Sequence, residues 1–265
     1  MTRAAKIISK RLLSPTDEKP FQLVNTNYNS RVILSCEHAG RVIPESLGDL
    51  GLDKEIMTYH IAYDIGAEKV ARQLSRLLRA PLILQPYSRL VVDCNRPFSA
   101  PDCIPVSSDG TNIPGNAMLD DIAKKNRYDE ISQPFHEAVS RQIDVKLAEE
   151  QIPVLISVHS FTSKLMVDGQ PRPWHIGLLY NRDNRLATGL QKILKHQQPH
   201  LNIALNEPYK TTDAEDLTIP MHGEQRGILH VMLEINNSEI NSLTGQMHWA
   251  SILASGIAEW LNIND

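Results

Sequence analysis

Two kinds of apolar run alternate along this chain. The first is short and almost unbroken: Arg31-Val32-Ile33-Leu34-Ser35-Cys36, Leu82-Ile83-Leu84-Gln85, Val154-Leu155-Ile156-Ser157-Val158, His175-Ile176-Gly177-Leu178-Leu179-Tyr180 and Ile228-Leu229-His230-Val231-Met232-Leu233-Glu234-Ile235. Such runs predict strands, and those without polar alternation predict strands covered on both faces. A further short run, Arg89-Leu90-Val91-Val92-Asp93-Cys94-Asn95-Arg96-Pro97, predicts a strand that the proline closes. The second kind is periodic. Val70, Leu74, Leu77 and Leu78 recur at spacings of three and four and predict an amphipathic helix over 65–79, with Asp64 at its cap and Arg72, Arg76 and Arg79 on its wet face. Helices are also expected over 119–150, 184–196 and 243–262. Strands alternating with helices indicate an α/β fold with a mainly parallel sheet. Residues 1–30 are polar, carry turn signals and show no period, so they are expected to be an N-terminal surface arm before a single domain over 31–265. Pro, Ser, Gly and Asn dominate 102–116, predicting a long loop.

Composition narrows the function classes. With 265 residues, 42% of them hydrophobic, the chain can bury a full core without disulfides. Acidic residues outnumber basic ones by 31 to 27, for a net charge of −4, which disfavours nucleic acid as a partner. No apolar run approaches the roughly 18 residues a membrane span needs, and the start, Met1-Thr2-Arg3-Ala4-Ala5-Lys6, does not read as a signal region. A cytoplasmic protein is therefore expected. The three cysteines, Cys36, Cys94 and Cys103, form no CxxC pair, so a metal would rest on histidine and carboxylate. No GxSxG, P-loop or GxGxxG occurs, and Cys36 with His38 does not match a nucleophile and its base.

Chemistry is expected just beyond the carboxyl ends of the strands. His38 and His159, each following a predicted strand, supply two nitrogens of a His-His-carboxylate metal site that keeps a position open for water. Asp64 is the first choice for the third ligand and Glu37 the second, although neighbours on an extended chain point to opposite faces. Glu234, a carboxylate inside an apolar strand, needs a cation or hydrogen bonds to offset its burial. It reads either as the general base of a metallohydrolase or as an ion-pair partner of Arg226. Arg89 and Arg96 suit bidentate binding of a substrate carboxylate, or pair with Asp93 or Asp102.

In this order and spacing, the segments Ser35-Cys36-Glu37-His38-Ala39-Gly40, Ala62-Tyr63-Asp64-Ile65-Gly66-Ala67, Arg89 to Pro97, Ser157-Val158-His159-Ser160-Phe161 and Leu233-Glu234-Ile235-Asn236-Asn237 resemble the N-formylglutamate amidohydrolase family. The resemblance runs over about residues 30–260. It implies a phosphorylase/hydrolase-like fold, a three-layer α/β/α arrangement with a central mixed, mainly parallel sheet, shared with zinc carboxypeptidases and more distantly with peptidoglycan amidases. The positions matching those amidases are His38, Asp64, His159 and Glu234, with aspartate where they carry glutamate and Glu68 one turn on as a further candidate. Also implied is one zinc ion, Zn2+, where another divalent metal also suits the donor set. The implied reaction cleaves N-formyl-L-glutamate or a similar small anionic N-acyl amino acid to formate and the amino acid, the last step of one histidine-degradation route. Glu234 then moves the proton, Arg89, Asn95 and Arg96 hold the substrate, His222 and Arg226 contact substrate or oxyanion, and Asn206-Glu207-Pro208-Tyr209 shapes the rim. Two alternatives stay open: another peptide-like amide as substrate, with Phe161, Trp174 and loop 102–116 reshaping the pocket, or a catalytically silent metabolite-binding member. The oligomeric state is open as well.

Overall fold

In the computed structural model, which describes residues 11–264, the apolar runs become a seven-stranded mixed sheet. Its strands are β1 (Gln22–Val24), β2 (Val32–Cys36), β3 (Leu82–Leu84), β6 (Val154–Phe161), β7 (Ile176–Leu179), β8 (Ile203–Leu205) and β9 (Leu229–Asn236). The spatial order is β1-β3-β2-β6-β9-β7-β8. Strands β3, β2, β6 and β9 are mutually parallel, whereas β1 is antiparallel to β3 and β7 antiparallel to β9. The sheet is thus mixed and mainly parallel, as expected. A separate hairpin, β4 (Ser107–Ser108) and β5 (Thr111–Asn112), turns at Asp109 and Gly110, whose φ angles of 41° and 80° suit a tight two-residue turn.

Alternation explains why the strands are apolar throughout. Val32, Leu34, Val154, Ile156, Val158, Val231, Leu233 and Ile235 point to one face and pack on α1 (Ala67–Leu77), α4 (Arg185–Gln197) and α5 (Leu243–Asn264). Ile33, Ile83 and Leu155 point to the other face and pack under α3 (Gln133–Ala148) through Phe135, Val139 and Ile143. Each such buried aliphatic or aromatic side chain contributes about 1.5–3 kcal/mol. Among the described residues, no helix is long and apolar enough to cross a membrane.

Several local expectations change. The arm is not only surface: Gln22–Val24 pairs with β3 at the sheet edge, while residues 1–10 lie outside the described residues. Asp64 does not cap α1. That position belongs to Gly66, at φ 83°, where a Cβ would stand 2.2 Å from the Ile240 carbonyl oxygen, and the Asp64 carboxylate turns to the histidines instead. Leu77, the last residue of α1, is exposed. The run 89–97 is a series of buried turns rather than a strand, because side chains take over its backbone groups. Asn116 Nδ2 donates to the Leu90 carbonyl and Arg127 Nη1 to the Val91 carbonyl, while Asp93 Oδ1 accepts the Asn95 N–H. The expected helix 119–150 is α2 (Asp121–Arg127) and α3, joined by a π-helical turn over Tyr128–Ser132. Pro134, in the first turn of α3, has no N–H to give, and the wider turn absorbs the mismatch.

Candidate active site

Because β2, β6 and β9 are adjacent and parallel, their carboxyl ends open on the same edge of the sheet. His159 and Glu234 are register partners on β6 and β9, so their side chains leave the sheet on one face. His38 lies two residues past the end of β2, and Asp64 sits in the turn before α1, its backbone N–H donating to the His38 carbonyl. Four segments far apart in sequence therefore meet.

The buried side chains of His38, Asp64 and His159 offer ligand atoms within 4.8 Å of one another. His38 Nε2 is 2.7 Å from Asp93 Oδ1; a carboxylate only accepts, so the ring proton belongs on Nε2 and Nδ1 is left a bare lone pair. His159 Nε2 stands 2.9 Å from Glu37 Oε2, an ion-pair contact, and its Nδ1 faces inward. The two inward nitrogens are 3.1 Å apart, with Asp64 Oδ2 2.9 Å from His159 Nδ1 and Asp64 Oδ1 3.4 Å from His38 Nδ1. Lone pairs and a carboxylate so placed in a buried site repel one another unless a positive charge lies among them. In the protein alone that charge is a proton: burial opposes it, but Asp64 and Glu37 raise the His159 pKa well above its ordinary value. Burial likewise opposes ionisation of Asp64, yet His38 and His159 hold it well below the usual carboxylate range.

Glu37 stands behind His159 rather than beside it. Its carboxylate accepts from Ser35 Oγ and Ser157 Oγ, both at 2.7 Å, and the adjacent His159 imidazole together with these two bonds overcomes burial to hold its pKa at about 2. The bend expected to bring Glu37 into the ligand set is absent; the carboxylate backs the outer edge of the imidazole.

Glu234 faces the cluster from β9. Its Oε2 is buried without a hydrogen-bond partner, and burial pushes its pKa up to about 7. Arg226 does not pair with it: that guanidinium donates to Ser140 Oγ and to Asp144 on α3, away from the site. His222 is also off the cavity, its Nε2 3.0 Å from His136 Nδ1, and His136 Nε2 donates to the Cys94 carbonyl. Burial makes both imidazoles poor bases and lowers His222 to about 3.

A cavity of about 240 Å³ opens over the cluster, and His38, His159 and Glu234 line it. Arg89, Asn95 and Arg96 line it too, but each is already engaged. Arg89 Nη2 donates to Asp93 Oδ2 at 2.6 Å, Arg96 Nε to Asp102 at 2.8 Å, and Arg96 Nη1 to the Glu215 carbonyl. Asn95 Nδ2 donates to Asp216 Oδ1, and its Oδ1 accepts the Thr218 N–H. Phe161 and Trp174 do not line the cavity, whereas Tyr209, from the expected rim segment, does. Sequence reasoning named Asp93 only as a pairing partner of the arginines, a pairing that Arg89 makes, and missed its contact with His38 as well as Lys210 and Asp216. Only Asp93 carried a signal, as the carboxylate that follows the apolar stretch Leu90-Val91-Val92; Lys210 and Asp216 sit in polar sequence without period.

No curated protein matches the chain. A solved gene product of Agrobacterium tumefaciens is 35% identical, with 96% of this chain and 100% of that one covered and a TM-score of 0.91. An N-formylglutamate amidohydrolase from Ralstonia eutropha JMP134 shares the fold at 16% identity, with 93% and 99% covered and a TM-score of 0.65. The family model for N-formylglutamate amidohydrolase matches residues 30–241, which span β2 to the end of β9 and with them every residue of the cluster. The chain belongs to the N-formylglutamate amidohydrolase family.

Proposed function

We propose that this amidohydrolase cleaves the amide of a small N-acylated amino acid, N-formyl-L-glutamate first, to formate and the free amino acid. The observation that carries the reading is the juxtaposition of three inward acceptors, His38 Nδ1, His159 Nδ1 and Asp64, with the unpartnered Glu234 Oε2. One divalent cation in place of the proton there would be held by those three residues, and the two-nitrogen, one-carboxylate set suits zinc. Bound there, zinc would supply Lewis-acid polarisation of the scissile carbonyl and a lowered pKa for water.

The chain's own residues do the rest. Glu234, whose free oxygen faces the cavity, takes a proton from the water that attacks the formyl carbon. It delivers that proton to the amide nitrogen as the C–N bond breaks, so the amine leaves neutral and the acyl carbon keeps the water oxygen as formic acid, whose remaining proton passes to the amine or to solvent to give formate. Asp93 and Glu37 hold the outer edges of His38 and His159, so neither ring turns away. Arg89 and Arg96 keep N–H groups toward the cavity and orient the substrate carboxylate while staying paired with Asp93 and Asp102.

Elemental analysis coupled to a formate-release assay on N-formyl-L-glutamate, with and without chelator, tests this reading. Stoichiometric zinc and chelator-sensitive formate release are expected. Zinc without release from any N-formyl amino acid would overturn the substrate, and release at full rate from metal-free protein would overturn the metal centre.

A further inference from the structure

A dicarboxylic substrate brings two negative charges into a cavity whose arginines already carry carboxylates. Asp93 lies on Arg89, with Asp64 at 3.6 Å, and Arg96 is held by Asp102 with Asp216 at 3.4 Å. Glu215, Asp216 and Glu234 line the same cavity. The guanidinium groups still offer directed N–H donors, but their charge is offset where they stand. Lys210 is different: it lines the cavity, it is exposed, and it makes no ion pair or side-chain hydrogen bond among the described residues.

Its neighbour is fixed. Tyr209 lies beneath the Arg172 guanidinium, 4.9 Å from ring centroid to Cζ, and Arg172 Nη1 donates to its hydroxyl at 2.8 Å. The backbone beside Lys210 is thereby tied to the loop after β6, while the four-carbon stem lets the ammonium reach into the cavity or withdraw. We infer that Lys210 is the residue that selects an acidic amino-acid side chain: its ammonium meets the distal carboxylate of the substrate, while Arg89 and Arg96 orient the α-carboxylate.

This inference rests on the proposed hydrolysis for its substrate but is tested separately. With Lys210 removed, the remaining lining cations, Arg89 and Arg96, are those already offset by carboxylates, while Glu215 and Glu234 still line the cavity. A dianion should then suffer far more than an isosteric monoanion. The experiment compares N-formyl-L-glutamate with N-formyl-L-glutamine on the zinc-loaded wild-type protein, Lys210→Met and Lys210→Arg, by steady-state kinetics and by calorimetric binding. The expected result is that Lys210→Met raises KM and Kd for the glutamate compound about tenfold to a hundredfold more than for the glutamine compound, as befits a charge-assisted contact. The change should fall on KM rather than kcat, and Lys210→Arg should restore most of it.

Equal effects on the two compounds, or a loss confined to kcat, would overturn the assignment. So would a wild-type preference for N-formyl-L-lysine, which would make the acidic wall the selecting feature. Lys210-dependent binding of N-formyl-L-glutamate without formate release would refute the proposed reaction and still support this inference.

Discussion

Replacing Asp93 with asparagine perturbs the candidate centre without touching any of its inward atoms. Asp93 is 2% exposed and serves three donors: His38 Nε2 at 2.7 Å, Arg89 Nη2 at 2.6 Å and the Asn95 N–H at 2.8 Å. Burial works against its ionisation, but Arg89 and His38 hold its pKa well below the usual carboxylate range, so the native protein relies on the charge. An amide at this position keeps one oxygen, enough for His38 and the Asn95 N–H through Oδ1. Its NH2 then replaces Oδ2 and faces the Arg89 guanidinium, donor against donor. One hydrogen bond to a charged group is lost, about 1.5–3 kcal/mol of folding stability. His38 keeps its tautomer but loses the anionic partner that makes its Nδ1 a strong donor to a cation. Loss of such an outer partner weakens metal binding by about 10- to 100-fold, or about 1.4–2.7 kcal/mol. Competition with a fluorescent chelator reads the zinc affinity, and urea unfolding of the metal-free protein reads the stability. A folded Asp93→Asn protein that binds zinc as tightly as wild type would refute the role given to Asp93.

Three further outcomes are expected. Glu234→Gln should lower kcat at least about 100-fold, as loss of a general base does, while leaving zinc content at one per chain; near-normal turnover would remove Glu234 from the proton path. His222 titrates at about 3 in the folded protein, because burial and His136 keep it neutral, and near 6.5 when unfolded. Below pH 6.5 the unfolded chain therefore binds the extra proton, so stability falls with pH by about 1.4 kcal/mol per unit and by about 2 kcal/mol at pH 5. Urea unfolding of His222→Gln at pH 5 and pH 7.5 should show a flatter acid limb, and an unchanged slope would contradict this account. Gly177→Ala on β7 places a Cβ 1.7 Å from the Glu207 carbonyl oxygen, so the backbone leading to Tyr209 and Lys210 must shift. A loss of about 3 kcal/mol by denaturant unfolding is expected, and a neutral effect would show that segment to be more yielding than its packing implies.

The sheet was legible in the sequence because covered strands leave an unmistakable local mark. The runs around Val32 and Val154 are packed between α1 or α5 on one side and α3 on the other, and the run around Leu229 buries Val231, Leu233 and Ile235 on the first side and Met232 against Leu179 and Ile219 on the second. The α/β class, the main helices and the residues at the strand ends, His38, His159 and Glu234, follow from such local patterns. Resemblance of five short segments to one family is also a property of sequence alone, and the match over residues 30–241 agrees with it.

Tertiary structure decided what depends on partners distant in the chain. The run 89–97 has the composition of a strand, but Asn116 and Arg127 satisfy its carbonyls, and nothing within the run announces residues that far away. Asp64 has the identity of a helix cap, yet His159, 95 residues later, claims its carboxylate. Glu37 became an outer support rather than a ligand, and Asp93 holds His38 as well as the expected arginine, because strand order and turn geometry brought Ser157, His38 and Arg89 to them. Arg226 left the site for α3, and Lys210, silent in the sequence, reached the cavity wall. A side chain's type sets which bonds it can make; which of them it makes depends on neighbours that only the folded chain supplies.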